Sequence, residues 1–532
     1  MKSQPPSAIT RSRTHNYFLA LGSGYVLQFA TILIGFWLTP FSLRFLDREQ
    51  FAIFTLVNDL LVWLNLLDLG ITAGLRLQAA QLAGSPDQDR LNRLASTAFF
   101  AQNIVVAAVL VVGVALSFAF PHLFTMSVQL QRDATWVMLL LLVGSALSLG
   151  TQTFSALLVA NQQVHLDNAV ALLNLVIRTV LTVVLLKLGW GLYSLAIANI
   201  VAKVTTSALA VVRTFHLLPG LQLRRDLASW QVLRGTGTLG LWLTLGSLSG
   251  IMMSTLDRIV VAKVISVEAV TTLTLTGRLY ALAGGLLANL TNNARPMLGQ
   301  LIGQKKMEDA ARVYHHLFVL STGLAIVGAA SLWAGNGAFV TRWVGAQNYG
   351  GWTLDLTLAL NLLARSWALP NRAALSAGLF KVPQHTISAV TEAVLTLVLS
   401  IGLGSLFGIA GIASAIWLAT LLVPCWYLPH LTAEMFRHKF SQLLREDFRP
   451  LVVSAILIVP IAFGARKVTD LVGGGFFGAG LAVLATSSIG LALLWFLSLD
   501  RVLKDRILLH FGNLRTSALA RYLNASAHVE LN

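Results

Sequence analysis

Residues 239–278 read LGLWLTLGSLSGIMMSTLDRIVVAKVISVEAVTTLTLTGR and place charges inside apolar segments. The stretch predicts two membrane helices joined by a short turn. Asp257 and Arg258 lie near the end of the first helix, and Arg278 lies near the middle of the second. Because a charge inside hydrocarbon costs several kcal/mol unless it faces partners or water, these helices are expected to line a polar cavity.

The composition of the whole chain is that of a polytopic membrane protein. Of its 532 residues 56% are hydrophobic and 11% are charged, whereas soluble domains carry roughly 25% charged residues. The single Cys425 excludes an internal disulfide framework and a cysteine metal site. The net charge of +16 lies mainly in the loops, so membrane topology explains it before nucleic-acid binding does.

The chain contains about fourteen apolar runs close to the roughly 20 residues that a membrane span needs. They predict an all-α polytopic membrane protein with about 14 transmembrane helices. The predicted spans are Tyr17 to Pro40, Phe51 to Leu75, Leu94 to Phe120, Ala134 to Ala160, Asn168 to Leu188, Gly191 to Val212, Thr238 to Val261, Ala269 to Asn293, Tyr314 to Ala334, Thr353 to Leu375, Gln384 to Leu406, Ile409 to His430, Pro450 to Ala465 and Phe476 to Leu499.

Lysine and arginine residues set the predicted orientation, because they concentrate in cytoplasmic loops. With the N-terminus inside, 24 of the 38 basic residues fall in cytoplasmic segments, 8 in outer loops and 6 in spans. This distribution predicts that both termini are cytoplasmic. The polar, basic first fifteen residues show no cleavable signal.

The two halves of the chain share short sequence matches at a nearly constant spacing. Gln81-Leu82-Ala83-Gly84 matches Gln300-Leu301-Ile302-Gly303 at an offset of 219 residues, and Gly191-Leu192 matches Gly408-Ile409 at an offset of 217. Because six predicted spans separate equivalent points, the halves keep one orientation, with a pseudo-twofold axis along the membrane normal. Such a pair of bundles suits alternating access.

These observations predict seven segments. They are a cytoplasmic basic tail (1–16), an N-terminal six-helix bundle (17–212), a cytoplasmic basic linker (213–237), a C-terminal six-helix bundle (238–430), a cytoplasmic basic loop (431–449), two extra helices (450–499) and a cytoplasmic tail (500–532).

Several short motifs match a known family pattern. They are Pro40-Phe41-Ser42-Leu43-Arg44-Phe45-Leu46, Phe51-Ala52, Leu67-Asp68-Leu69-Gly70, Arg76, Ala79-Ala80 and Thr255-Leu256-Asp257-Arg258. With them the chain resembles the polysaccharide (O-antigen) flippase branch of the multidrug/oligosaccharidyl-lipid/polysaccharide exporter superfamily. The resemblance implies a protein of the bacterial cytoplasmic (inner) membrane that flips a polyprenyl-diphosphate-linked oligosaccharide to the outer leaflet. It also implies membrane lipids, a polysaccharide polymerase and a chain-length regulator as candidate partners, and no nucleic acid.

Ionisable residues within the predicted spans are the candidates for binding and coupling. The cations are Arg178, Lys203, Arg258, Arg278, Arg365 and Arg372, and the anions are Asp59, Asp68, Asp257 and Glu392. Cations outnumber anions, and arginine forms bidentate contacts with phosphate, so an anionic headgroup is expected. The predicted substrate-binding residues are Arg278, Arg258, Arg365, Arg76, Arg178, Arg372, Asn289 and Asn292.

Each of these residues also has a structural interpretation. An arginine near the end of a span extends to the interface or pairs with an acid, and membrane asparagines often connect helices. The hypothesis assigns the diphosphate to Arg258, Arg278 and Arg365. It places Arg76 at the cytoplasmic mouth and the asparagines at sugar hydroxyls.

Three carboxylates are candidates for coupling transport to an ion, either H⁺ or Na⁺; no other cofactor is expected. Glu392 lies inside a span with no Lys or Arg within four residues, although an interhelical hydrogen bond is an alternative. Asp257 is adjacent to Arg258 and is expected to pair with it. Asp68, close to Gly70, also fits a structural turn.

Three classes of function remain open at this point. The first is the flippase, which is not an enzyme. The second is a multidrug or cation antiporter, which requires a net acidic cavity and conflicts with the excess of arginine. The third is a membrane polysaccharide polymerase, which usually needs a large outer loop, whereas the predicted outer loops are short.

Overall fold

The computed structural model describes residues 8–68, 71–72, 75, 79, 87–161, 163–229, 237–438, 449–471, 475–499 and 503–505. Its regular structure is helical, without strands in these ranges, which confirms the predicted all-α class. The α-helices are α1 (Ala8–Ser42), α2 (Arg48–Leu64), α3 (Gln88–Leu123), α4 (Val128–Gly150), α5 (Gln152–Ala160), α6 (Val164–Lys187), α7 (Tyr193–Leu217), α8 (Gly237–Val264), α9 (Val267–Thr276), α10 (Arg278–Gly303), α11 (Met307–Val344), α12 (Gly351–Ala377), α13 (Val382–Leu422), α14 (Pro424–Phe436), α15 (Arg449–Leu471) and α16 (Phe476–Leu493).

Ten helical segments of the described chain are long and apolar enough to cross a membrane, so the protein is a multi-pass membrane protein. The predicted eleventh and twelfth spans fall in one of them, Val382–Phe436. This segment breaks at Gly408, whose φ of 62° favours glycine. Helices α8, α10 and α12 match three further predicted spans but are not among the ten, and α10 and α12 carry several arginine and asparagine residues.

Several of the predicted span boundaries are wrong. The fourth span, predicted as one helix, is divided at Thr151, between α4 and α5. The eighth span, predicted as one helix, is divided: α9 ends at Thr276 and α10 begins at Arg278, with Gly277 between them. Glycine has a low helix propensity, which favours a break there. The outer loop predicted after the thirteenth span contains Arg466 and Lys467, but both residues lie inside α15. Their long side chains can reach polar surroundings while the backbone stays helical.

The chain divides into two compact units. Unit 1 comprises Met1–Leu275 and Ala393–Ile412, and unit 2 comprises Thr276–Glu392 and Ala413–Asn532. Helix α13 therefore contributes its middle to unit 1 and its two ends to unit 2. Compactness and sequence repetition are separate properties, so the seven predicted segments and the pseudo-twofold axis stay predictions.

In unit 1, α4 packs against α2, α3 and α7, and α6 packs against α1 and α7. Local sequence fixes where α2 begins. Asp47 caps the helix, because its side chain accepts a hydrogen bond from the Gln50 N–H at 2.7 Å, while the Gln50 side chain accepts one from Asp47 N–H at 3.2 Å. On α4, Gly144 leaves room for α7, since a Cβ there would lie 3.3 Å from the Ile200 side chain.

In unit 2, α11 is the central helix and packs against α10, α12, α15 and α16. Its buried Phe318 belongs to a cluster with Leu298 and Leu494. At Gly335 the backbones of α11 and α16 come close, because an added Cβ would lie 2.9 Å from the Ala479 carbonyl oxygen. Small residues permit such close packing of membrane helices. This packing holds the polar helices α10 and α12 in place.

Candidate functional site

A polar stripe runs along one face of α10. Arg278, Gly285, Asn289 and Asn292 are spaced by seven, four and three residues, which places them on the same side of a helix. Asn289 and Asn292 are exposed. At 1.5 Å per residue the stripe extends about 21 Å. An exposed polar face is unfavourable against hydrocarbon, so this face of α10 is expected to border water.

Arg278 begins the stripe and has unsatisfied hydrogen-bonding capacity. Its side chain is half-buried, and its Nε is buried without a hydrogen-bond partner among the described residues. Within the same ranges no carboxylate forms an ion pair with it. A guanidinium remains charged and offers five N–H donors, so Arg278 requires an acceptor from water or a ligand.

Arg178 and Lys203 form a second group of cations, in unit 1. Arg178 lies on α6 and Lys203 on α7, both are half-buried, and the two charges lie within electrostatic range. No acid pairs with either in the part of the chain that the structure describes. Two like charges at the centre of predicted spans repel each other, and an anion or water would relieve that repulsion.

Arg258, in contrast, is bound within the protein. Its Nε and a terminal nitrogen donate to the two carboxylate oxygens of Asp59 at 2.6 and 2.8 Å. The expected pairing with Asp257 is wrong: among the described residues the Arg258 guanidinium forms its ion pair with Asp59, and Asp257 accepts from the Arg258 backbone N–H at 2.9 Å. Neighbouring residues on a helix do not face each other, whereas α2 presents Asp59 to α8.

Arg372 and Glu392 also form a pair. A terminal guanidinium nitrogen of Arg372 bonds to Glu392, and the Thr420 hydroxyl donates to the other carboxylate oxygen at 2.7 Å. Glu392 is 3% exposed. Glu392 has no Lys or Arg within four residues in the sequence, and its cation, Arg372, comes from the preceding helix α12. The coupling role of Glu392 stays a prediction, and the interhelical hydrogen bond weighed against it is present.

The remaining predicted site residues are distributed over the chain. Asp68 lies in a 3₁₀ turn and accepts a hydrogen bond at 3.1 Å from Thr72, whose hydroxyl is also 3.0 Å from Gln152; this favours a structural turn. Arg365 is half-buried on α12 and already has an interaction partner. Arg76 lies outside the described residues. On α10 the structure thus brings Arg278, Asn289 and Asn292 onto one face.

A buried network around Asp355 in unit 2 was not predicted. The Asp355 carboxylate is fully buried and accepts hydrogen bonds from Asn336 at 2.6 Å, from Tyr349 at 2.6 Å and from Tyr280 at 3.4 Å. Arg466 approaches it to 3.4 Å. The five side chains come from α10, α11, the α11–α12 connection, α12 and α15.

Further contacts fix Arg466 within this network. It donates to the Tyr349 hydroxyl at 2.7 Å and to the Trp333 carbonyl at 2.6 Å, and it lies over the Trp333 ring. Burial and the nearby Asp355 carboxylate raise the pKa of Tyr349, so its phenol stays protonated as a donor. The available sequence signal was an Asp two residues into a predicted span. Of its partners, Tyr349 is six residues away in sequence, whereas Asn336, Tyr280 and Arg466 are 19, 75 and 111 residues away.

A family model described as MatE matches residues 243–342, which cover the region around α8 to α11. A search of curated proteins finds none that matches the chain. Solved structures match most of its length at low sequence identity.

Three solved structures show the likeness. An inward-facing multidrug resistance MATE family transporter of the MOP superfamily is 15% identical, with a TM-score of 0.64 over 78% of this chain and 96% of that one. The lipid II flippase MurJ, in an inward closed conformation, is 14% identical, with a TM-score of 0.57 over 87% and 98%. A MOP superfamily transporter from Pyrococcus furiosus, reported to have a binding pocket of reverse polarity, is 15% identical with a TM-score of 0.57 over 80% and 95%. The chain therefore has the fold of the MOP superfamily transporters.

Proposed function

We propose that the protein is a transporter that flips a polyprenyl-diphosphate-linked oligosaccharide, such as an O-antigen or exopolysaccharide repeat unit, across the membrane. One observation carries the proposal. The intramembrane cations Arg178, Lys203 and Arg278 have no acid partner among the described residues, whereas Asp59 and Glu392 are each neutralised by an arginine. Unneutralised positive charge favours an anionic headgroup over an organic cation.

The α10 stripe suggests how a polar headgroup would move. Arg278 offers planar N–H donors that fit phosphate oxygens, and Asn289 and Asn292 offer amide donors and acceptors for sugar hydroxyls. The stripe extends about 21 Å, which is a large part of the roughly 30 Å hydrocarbon core. A headgroup could follow this face while its polyprenyl chain stays in lipid.

The structural likenesses support two candidates. The lipid II flippase supports movement of a lipid-linked sugar, and the transporter of reverse polarity shows that this fold tolerates different pocket charges. The multidrug transporter supports export of an organic cation as the second candidate. Asp257 favours that alternative, because it adds a carboxylate beside the neutralised Asp59–Arg258 pair.

Replacing Arg278 with glutamine is expected to slow flipping by about 10- to 100-fold, since hydrogen bonds to charged groups contribute about 1.5–3 kcal/mol and 1.4 kcal/mol is a factor of ten. Arg278→Lys keeps the charge but loses the bidentate geometry, so it should retain intermediate activity. Both would be measured with a fluorescent polyprenyl-diphosphate glycan in proteoliposomes.

The matched control is Arg213→Gln. Arg213 is an exposed arginine of α7 at the predicted cytoplasmic end, and its replacement should leave the flipping rate unchanged. Equal protein incorporation is verified for each variant. A wild-type rate in Arg278→Gln would remove Arg278 from the substrate path.

A further inference from the structure

A further cationic group, distinct from the Arg178–Lys203 group of unit 1, lies within unit 2 and apart from the α10 stripe. It consists of Arg295 on α10, Arg372 on α12 and His385 on α13. Helix α10 packs against α12, and the bond from Arg372 to Glu392 joins α12 to α13. The positive charges of both arginines act on the imidazole. Arg295 is exposed, whereas Arg372 and His385 are half-buried. Three helices therefore contribute to a positively charged site, which is solvent-accessible at Arg295.

His385 has a ring nitrogen whose hydrogen-bonding capacity is unused within the described residues. Its Nε2 is buried and has no hydrogen-bond partner among the residues that the structure describes. Arg295 forms no ion pair within these same ranges. A buried polar atom without a partner is unfavourable, so a ligand oxygen that bonds to it would be stabilised.

The neighbouring acids are already engaged. Glu392 is bonded to Arg372 and Thr420. On the other side, Lys381 is bonded to Glu434 of α14 at 2.5 and 2.7 Å. The carboxylates around His385 thus leave the charge of Arg295 uncompensated. The cluster has a net positive charge even when the imidazole is neutral.

The backbone holds the cluster at a defined spacing. Gly299 brings α10 close to the end of α12, because a Cβ there would lie 3.4 Å from the Ala377 carbonyl oxygen. Leu379 and Lys381, in the connection to α13, have φ values of 48° and 46°, a region that non-glycine residues rarely adopt. Tight packing and a constrained connection fix where α13 begins, at Val382, and so the position of His385 in its first turn.

We propose that Arg295, Arg372 and His385 form a binding site for a diphosphate group, which receives the headgroup of the lipid-linked substrate at the predicted cytoplasmic side. The inference rests on the proposed function and adds a loading site to it. Arg295 presents N–H donors to one phosphate, while His385 Nε2, when it carries a proton, donates to an oxygen of the bound group. Arg372 stays bonded to Glu392 and contributes long-range charge.

The test measures the binding of farnesyl diphosphate to the purified full-length protein in detergent micelles by isothermal titration calorimetry. Arg295→Gln and His385→Gln are each expected to weaken binding by about 10-fold or more. The matched controls are Arg213→Gln and His216→Gln, at exposed positions on α7, which should bind as the unchanged protein does. Thermal unfolding verifies that all variants fold.

Competing ligands distinguish the source of the phosphate. Displacement of farnesyl diphosphate by free pyrophosphate supports recognition of the diphosphate itself. Displacement by phosphatidylglycerol alone would assign the site to a membrane phospholipid and overturn the proposal. Unchanged affinity in both Arg295→Gln and His385→Gln would also overturn it.

The proposed function fails separately, in the flipping assay. A protein that flips the glycan normally when Arg295 and His385 are replaced keeps its proposed function and loses only the loading site. A protein that binds farnesyl diphosphate through these residues but flips no glycan keeps the binding site and loses the proposed function.

Discussion

Replacing Arg258 with alanine is expected to destabilise the protein by about 3–5 kcal/mol, because Asp59 is left buried without its cation. The Asp59 side chain is 9% exposed, and the guanidinium holds both of its oxygens. The measurement is the free energy of unfolding of the purified protein in mixed micelles, from denaturant titration.

Replacing both partners should cost far less than replacing one. In Asp59→Asn/Arg258→Gln no buried charge is left over, and two amides can still bond to each other, so most of the lost stability should return. Arg224→Ala is the matched control, because Arg224 pairs with Asp226 at 60% exposure of both side chains, and exposed pairs contribute little to stability.

Two results would contradict this account of Arg258. An Arg258→Ala variant as stable as Arg224→Ala would show that the ion pair contributes little. A double variant that is stable but does not flip the glycan would return Arg258 to the substrate-binding residues.

Asp355→Ala is expected to produce a loss of similar size, about 3–5 kcal/mol, since it leaves Arg466 without its carboxylate and removes the acceptor of three further donors. Asp355 is fully buried, and Arg466 is 15% exposed at its side chain. Because Arg466 comes from α15, the loss should include loosening of α15 from the rest of unit 2. Hydrogen exchange along α15 would detect this directly.

The control for Asp355 is the same substitution in an exposed pair. Asp226→Ala should leave the unfolding free energy nearly unchanged, because solvent screens an exposed pair. Asp355→Asn keeps the shape and one acceptor oxygen, so it should fall between the two. Slow hydrogen exchange of α15 in Asp355→Ala, with unchanged stability, would show that apolar packing alone holds that helix.

The sequence predicted the features that depend on local pattern. Apolar runs predicted the helices, and residue type within one predicted span made Arg278, Asn289 and Asn292 candidates for substrate binding. Hydropathy could not place the break at Gly277, because a single glycine hardly changes the average over a span. As a result Arg278 was expected in the middle of a helix and lies at the start of one.

Pairing between distant residues was beyond the sequence. Asp59 and Arg258 are 199 residues apart, and nothing in either helix alone indicates that they meet. From the sequence of one helix, ion-pair partners can be sought only within about four residues of each charge. That search misses every partner on another helix. The network around Asp355 shows the same limit, because its five side chains come from five separate segments.

The central claim is that the charge of the transport path selects an anionic lipid-linked sugar over an organic cation. Proteoliposomes containing the protein test this when they are offered a fluorescent polyprenyl-diphosphate glycan and, in parallel, a fluorescent organic cation under a proton or sodium gradient. We predict protein-dependent flipping of the glycan and cation movement no faster than in protein-free liposomes. Gradient-driven movement of the cation without flipping of the glycan would contradict the claim.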